Sequence, residues 1–277
     1  MKIAFCLYGL AGGVNDKFGG LPVDFNMGFK DYKSHILDKN DCDVFIHTWS
    51  VQFEKQIKEI YKPKKSIFEK QIIFHEPNFL YKTFSKEPKR LNNIYSRWYS
   101  TKKAIELKKG YEAENGFKYD CVFITRFDVA FFTDLIFNKY DMNNFYAAIN
   151  SKYYTEDGKE ILNREFRKLS DEEKSKLVRR PFGYPHDPEK GIMDYWFFSN
   201  SENMDKFSKL YDNLWQYMKE IRLKNSILSR FNYRIYNNHI LSVQHLKNIG
   251  LIEKLKFTLN MFDDFELVRR RFFSAAR

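Results

Sequence analysis

YDCVFITRFDVAFF, residues 119–132, carries the strongest strand signal in the chain. Cys121 to Thr125 run without a charge, as a strand does when helices cover both faces of its sheet. The segment just before it reads as a helix. RWYSTKKAIELKKGYEAENG (97–116), with Ile94 ahead of it, spaces Ile94, Trp98, Thr101, Ile105 and Tyr111 along one helical face, and Gly116 supplies a stop. Further toward the N-terminus, KIAFCLYG (2–9) is a short apolar strand followed by a turn cluster of Gly9, Gly12, Gly13, Gly19 and Gly20. DVFIHTW (43–49) and QIIFH (71–75) are two more buried-strand candidates. Toward the C-terminus, GIMDYWFFSN (191–200) reads as another strand. A helix follows, with Met204, Phe207, Leu210, Leu214, Met218 and Ile221 on its core face. A last helix lies within 237–250 and ends at Gly250. Short apolar strands alternating with helices predict an α/β fold, a mainly parallel, Rossmann-like sheet flanked by helices. No repeat or low-complexity linker divides residues 1–277, so a single domain is expected.

The chain has 277 residues, enough to build a core without disulfides or a structural metal. Its apolar share of 43% and aromatic share of 18% argue against disorder. No apolar run reaches the roughly 18 residues that a membrane span needs. The opening MKIAFCLYGLAGG passes straight into turn sequence, which reads as a first strand and not as a secretory leader. Cys6, Cys42 and Cys121 are far apart and lie within apolar runs, which suits reduced thiols in a cytoplasmic protein. The net charge of +11 is spread evenly. Residues 1–120 hold 21 basic and 15 acidic side chains, and residues 121–277 hold 26 and 21. Such an excess favours anionic ligands without selecting one. A nucleic-acid binder would gather its cations on one face and interleave exposed aromatics. Here the aromatics sit inside apolar runs, so nucleic acid is not expected as a partner. The VRRRFF stretch, with Arg269 to Phe273, is the densest basic cluster and suits peripheral contact with anionic lipid.

Arg126, Phe127 and Asp128 fall where the decisive strand leaves its carboxyl end, the edge at which open α/β sheets bind ligands. A carboxylate there can hold a divalent cation, and an arginine can pair with phosphate oxygens. The alternative is an ion pair that only closes the strand. Asp194 stands in the apolar run Ile192–Phe198, where a buried carboxylate is costly unless something pairs or uses it. As a general base its pKa should rise toward neutrality. Tyr195 and Trp196 offer flat faces on which a ligand could stack, although strand aromatics are commonly core. Residues 151–190 are polar and irregular, with Pro181, Pro185 and Pro188 and a capping box at Ser170–Glu173, and form either a surface excursion or a flap. His186 in that stretch is a candidate ligand-site residue. None of the six histidines has the i, i+4 partner of a helical zinc pair.

Four stretches in order give the chain a further likeness: KIAFCLYGLAGG, DVFIHTW, the run YSTKKAIELKKGYEAENGFKYDCVFITRFDV, and GIMDYWFFSNSENMDKF. Together they resemble the GT-A-type glycosyltransferases that build bacterial and viral surface glycans. The resemblance implies a nucleotide-sugar donor, UDP- or GDP-linked, and transfer to a hydroxyl of a carbohydrate acceptor. It implies a nucleotide-binding half at 1–135 and an acceptor-binding half at 136–277, with 151–190 as flap. The Asp-x-Asp motif of that group corresponds here to Arg126-Phe127-Asp128, so the first acidic position carries a cation. Asp128 would bind Mn²⁺ or Mg²⁺ and the donor diphosphate, with His239 completing the metal shell and Arg126 sharing the cation's electrostatic work. Tyr8, Gly9, Leu10 and Ala11 would line the nucleotide, Ser100 and Lys103 would reach donor phosphates, Asp194 would activate the acceptor, and Tyr195, Trp196 and His186 would line the acceptor site, the two aromatics against a sugar ring. A nucleotidyl- or phosphoryl-type transferase on the same scaffold is the alternative.

Overall fold

The structure, a computed structural model, describes residues 1–14, 22–75, 88–166, 168–224, 226–227, 235–261 and 263–268. Its centre is a seven-stranded sheet. In chain order the elements that matter here are β1 (Lys2–Gly9), α1 (Phe25–His35), β2 (Asp41–Thr48), α2 (Glu54–Tyr61), β3 (Lys65–Phe68), α3 (Pro88–Asn115) and β4 (Cys121–Arg126). They continue with β5 (Phe145–Ile149), β6 (Trp196–Ser199), α4 (Ser201–Ser208), α5 (Leu210–Lys224), α6 (Asn238–Asn248) and β7 (Leu255–Asn260). The strands lie in the order β3-β2-β1-β4-β6-β5-β7. The β1–β2, β1–β4, β2–β3 and β5–β7 pairs are parallel, and β6 runs antiparallel to both β4 and β5. The class is α/β with a mostly parallel sheet flanked by helices, as expected, and both halves of the chain contribute strands to it.

Side-chain alternation along β1 explains the two layers of core. Ala4, Cys6 and Tyr8 face one side, where Ile94, Trp98 and Ile105 of α3 pack with Phe207 of α4. Ile3, Phe5 and Leu7 face the other, with Phe25 and Tyr32 of α1 and Ile57 of α2. The predicted stripe of α3 is thus a core stripe. The helix begins nine residues before Arg97, at Pro88.

Three expectations are corrected. QIIFH (71–75) is not a strand; it runs irregularly beside α3, where the Gln71 amide donates to Ser96 Oγ and the Phe74 N–H to Asn92 Oδ1. The third strand is KSIF (65–68), an edge strand whose half-buried residues carry no clear apolar signature. The strand in 191–200 is confined to Trp196–Ser199, leaving Asp194 in an irregular approach. The single helix expected after it is two, because the ladder breaks at Lys209, whose carbonyl takes the Asp212 and Asn213 N–H groups. Between β5 and β6, residues Ser151–Tyr154, Glu160–Ile161 and Val178–Pro181 form a small antiparallel sheet, and the capping box at Ser170 and Glu173 is present. Cys6 and Cys121 are buried and all three cysteines are free. No helix among the described residues is long and apolar enough to cross a membrane. Arg269 to Phe273 lie outside the described residues.

A largely buried charge network ties α3 to α4. Lys108 Nζ donates to Asp205 Oδ1 at 2.6 Å, Ser201 Oγ at 2.7 Å and Glu112 Oε2 at 3.2 Å. Glu112 also accepts the Tyr119 N–H at 2.9 Å, just ahead of β4. Burial raises the Glu112 pKa, but its bonds to Ser201 and Tyr119 and the Lys108 charge outweigh burial and bring it below the ordinary value. Removing one partner of a buried pair typically costs about 3–5 kcal/mol. Lys108→Met is therefore expected to lower the urea-unfolding free energy by about 3 kcal/mol, near the low end because Glu112 keeps its other partners.

Candidate functional site

Strand register gathers the site. On β1 and β4, Tyr8 pairs with Arg126, and β6 pairs Trp196 with Thr125. The chain entering antiparallel β6 thus brings Tyr195 and Asp194 past the carboxyl end of β4. α3 runs along the same edge and adds Arg97 and Ser100.

Arg126 donates to Asp128 through two bonds, Nε to Oδ1 at 2.7 Å and Nη2 to Oδ2 at 2.8 Å. The Asp128 side chain is 3% exposed and that of Arg126 26%. Phe127, between them, points into the core and meets Tyr61 edge-on. α1 holds this turn from beneath. Gly28 packs so tightly that a β-carbon there would stand 2.2 Å from the Phe127 carbonyl oxygen. Tyr32 donates its hydroxyl to the Arg126 carbonyl. The Asp128 charge outweighs burial and holds the Arg126 proton more tightly than usual, so the guanidinium stays charged.

Asp194 is held by a second arginine. Arg97 Nε donates to Asp194 Oδ2 at 3.1 Å and Nη2 to the Asp194 carbonyl at 2.8 Å. Its guanidinium lies over the rings of Tyr8 (4.4 Å) and Trp98 (3.9 Å) and donates to Thr101. The Tyr8 hydroxyl donates to the Asp194 carbonyl at 3.2 Å. On the other side His239 Nδ1 lies 3.5 Å from Asp194 Oδ1 and donates to the Ile192 carbonyl at 2.7 Å. Gly191 makes that approach possible, since a β-carbon there would come within 2.2 Å of the His239 backbone. Burial pushes the Asp194 pKa up, but His239, Arg97 and Arg126 outweigh it and bring it down to about 2. The expected rise toward neutrality is thus corrected: the carboxylate is ionised and a weak proton acceptor.

The loop after β1 is braced from below. The Gly9 N–H donates to Ser100 Oγ at 2.8 Å, and the Ala11 and Gly12 N–H groups donate to Ser50 Oγ at 3.0 and 3.2 Å. Gly9 has φ +96°, a conformation that suits glycine. Ser100 Oγ lies 2.7 Å from His47 Nδ1, and His47 Nε2 lies 2.8 Å from Glu69 Oε1. Burial lowers the His47 pKa despite Glu69, so the ring is neutral; Nε2–H donates to Glu69 and Nδ1 accepts from Ser100. Ser100 is wholly buried, so it props the loop and does not face a phosphate.

Other expected residues fall differently. Leu10 is half-buried and Ala11 buried, both on this loop. Lys103 pairs with Glu106 at 3.2 Å and lies over Tyr99, on the solvated face of α3. Trp196 is fully buried against Phe198, Phe123 and Phe265, so it offers no face to an acceptor, and that expectation is corrected. Tyr195 is half-buried, with Arg126 5.7 Å from its ring centre. His186 is exposed in the turn 183–191 and takes no part in the Arg97–Asp194–His239 contacts. Both Asp128 oxygens accept from Arg126, and His239 stands beside Asp194. Arg97, His47, Glu69 and Ser50 escaped sequence reading. Arg97 had one signal, its place among Tyr95, Trp98 and Tyr99 beside an apolar helical stripe.

No protein-family model matches the chain, and no curated protein matches it.

The folded-state pKa of Asp194, about 2, lies below its ordinary 3.8. The unfolded chain therefore binds the proton first, and the stability from this pairing is present above about pH 4 and lost as pH falls toward 2. Asp194→Asn should unfold at lower urea than the parent at pH 7, and that gap should shrink between pH 4 and pH 2.

Proposed function

We propose that this protein is a GT-A-type glycosyltransferase, which moves a sugar from a UDP- or GDP-linked donor to a hydroxyl of a carbohydrate acceptor in surface-glycan synthesis. The observation that carries the reading is the Arg126–Asp128 pair at the carboxyl end of β4, beside the glycine loop after β1. Ligands of open α/β sheets bind at this edge. Arg126 Nη1 donates to no described residue, so the guanidinium has hydrogen-bonding capacity left for a phosphate oxygen while Asp128 fixes its plane.

When the bond between the anomeric carbon and the diphosphate breaks, negative charge grows on the leaving oxygens. A fixed guanidinium already aimed at that place stabilises the change without reorganising. Arg126 supplies this charge directly in the proposal. Gly9, whose β-carbon position is open, lets backbone approach the nucleotide. The sheet order also supports the reading, because β6 delivers Asp194 and Tyr195 to the edge that carries Arg126. In this reading the Arg126 side takes the donor and the Asp194 side the acceptor.

Thermal unfolding against UDP, GDP, CMP and their sugars, each with and without Mn²⁺, tests this. A ligand at 100 times its dissociation constant adds about 2.7 kcal/mol, a clear shift of midpoint. One nucleotide is expected to shift the midpoint, and the difference between the shifts with and without Mn²⁺ measures how much of the charge on the diphosphate Arg126 meets by itself. Asp128→Asn should still fold cooperatively, with an unfolding midpoint lowered by loss of the buried pair with Arg126, and should lose sugar transfer by about 100-fold or more. Full transfer by that variant removes the assignment, and a product carrying nucleotidyl or phosphoryl mass redirects it.

A further inference from the structure

Asp194 is too firmly ion-paired to take a proton readily, yet its neighbour is arranged to do so. His239 Nδ1 donates to the Ile192 carbonyl at 2.7 Å, and a carbonyl oxygen can only accept, so Nδ1 carries the hydrogen. The ring's other nitrogen, Nε2, is then a free acceptor, with no hydrogen-bond partner among the described residues, and the side chain is 35% exposed. Behind Nδ1, at 3.5 Å, stands Asp194 Oδ1, while its Oδ2 is fixed by Arg97. A histidine whose tautomer is set by one group, and whose charged form is supported by a carboxylate, is the arrangement of a general base.

The geometry points to His239 as the group that deprotonates the acceptor, with Asp194 as its positioning carboxylate. This rests on the transferase reading for the identity of the acceptor. The acceptor hydroxyl gives its proton to Nε2 as its oxygen bonds to the anomeric carbon. The bond from that carbon to the diphosphate breaks, and the electron pair leaves on the nucleoside diphosphate. The imidazolium so formed lies against the Asp194 carboxylate and later returns its proton to water. Position supports the assignment. His239 sits in the first turn of α6, capped by Asn237, whose side chain accepts the His239 N–H. The Trp98 indole donates to Asn238 Oδ1 at 3.1 Å, so α3 fixes the start of the same helix. The charged groups around His239 are Asp194 from the approach to β6, with Arg97 of α3 and Arg126 of β4 behind it. Asp187, Glu189 and Lys190 lie on the turn that packs against α6.

Two measurements test the pair, one of them independent of activity. With a donor that supports transfer, His239→Gln should lower kcat by about 100-fold or more and leave the nucleotide-induced unfolding shift intact. Asp194→Asn should lower kcat less, because the Ile192 carbonyl still sets the tautomer. Retention of more than about a tenth of kcat by His239→Gln overturns the proposal while leaving the transferase reading in place. Separately, histidine-labelled protein in long-range ¹⁵N–¹H spectra should show His239 as the Nδ1–H tautomer. The Nε2–H tautomer overturns the proposal whatever the reaction. The Nδ1–H tautomer with no transfer from any donor supports the built base and removes only the glycosyl reading.

Discussion

One guanidinium holds the working edge of this protein together. Arg97 reaches from α3 between the rings of Tyr8 and Trp98 to both the carboxylate and the carbonyl of Asp194. Its side chain is 10% exposed, so its charge is tolerated only because a carboxylate, a carbonyl, a hydroxyl and two aromatic faces meet it. The consequences spread outward. Asp194 is fixed in an irregular approach to β6 where regular hydrogen bonding is absent. Tyr8 is tied to the same backbone from β1, and His239 is drawn to the free side of the carboxylate. A strand, a helix and a loop from distant parts of the chain thereby share one polar centre.

The aromatic content, 28 phenylalanines and 18 tyrosines, serves the two core layers more than the edge. Phe5, Phe123, Trp196 and Phe198 form a chain of ring contacts across β1, β4 and β6, and Phe131, just after β4, joins Phe123. The polar residues that matter are set against this apolar floor, and each has a stated reason for being there. Ser100 and His47 prop the Gly9 loop, Ser50 props Ala11 and Gly12, and Lys108 with Glu112 fastens the far end of α3. α3 is thus anchored by buried polar contacts at its middle, through Ser100, and toward its C-terminal end, through Lys108. Apolar side chains such as Ile94, Trp98 and Ile105 pack the rest of it on the sheet.

Much of this was legible in sequence. The run Cys121–Thr125 and the stripe Ile94, Trp98, Thr101, Ile105 carry the pattern of a buried strand and a helix lying on it, and they fold so. Arg126 and Asp128 were placed at the strand's end, and they are there, paired with each other. What escaped sequence reading was whatever depended on partners far along the chain. The β3 strand is half-buried and reads as polar, so only pairing with β2 makes it a strand. The Asp194 environment was read as apolar because its neighbours in sequence are apolar. The groups that set its charge, Arg97 and His239, lie 97 residues before it and 45 after. Trp196 looked available because alternation does not say which face of β6 meets solvent, and neither does.

Two contacts made without side chains, Gly28 on the Phe127 carbonyl and Gly191 on the His239 backbone, lie on opposite flanks of the edge. Each sets how closely one helix approaches one functional group, and the two share no residue. Natural variation at the first would re-aim the Arg126 side of the cleft while His239 stayed where it is; variation at the second would do the reverse. A scaffold built this way can change its geometry on one flank without retuning the other.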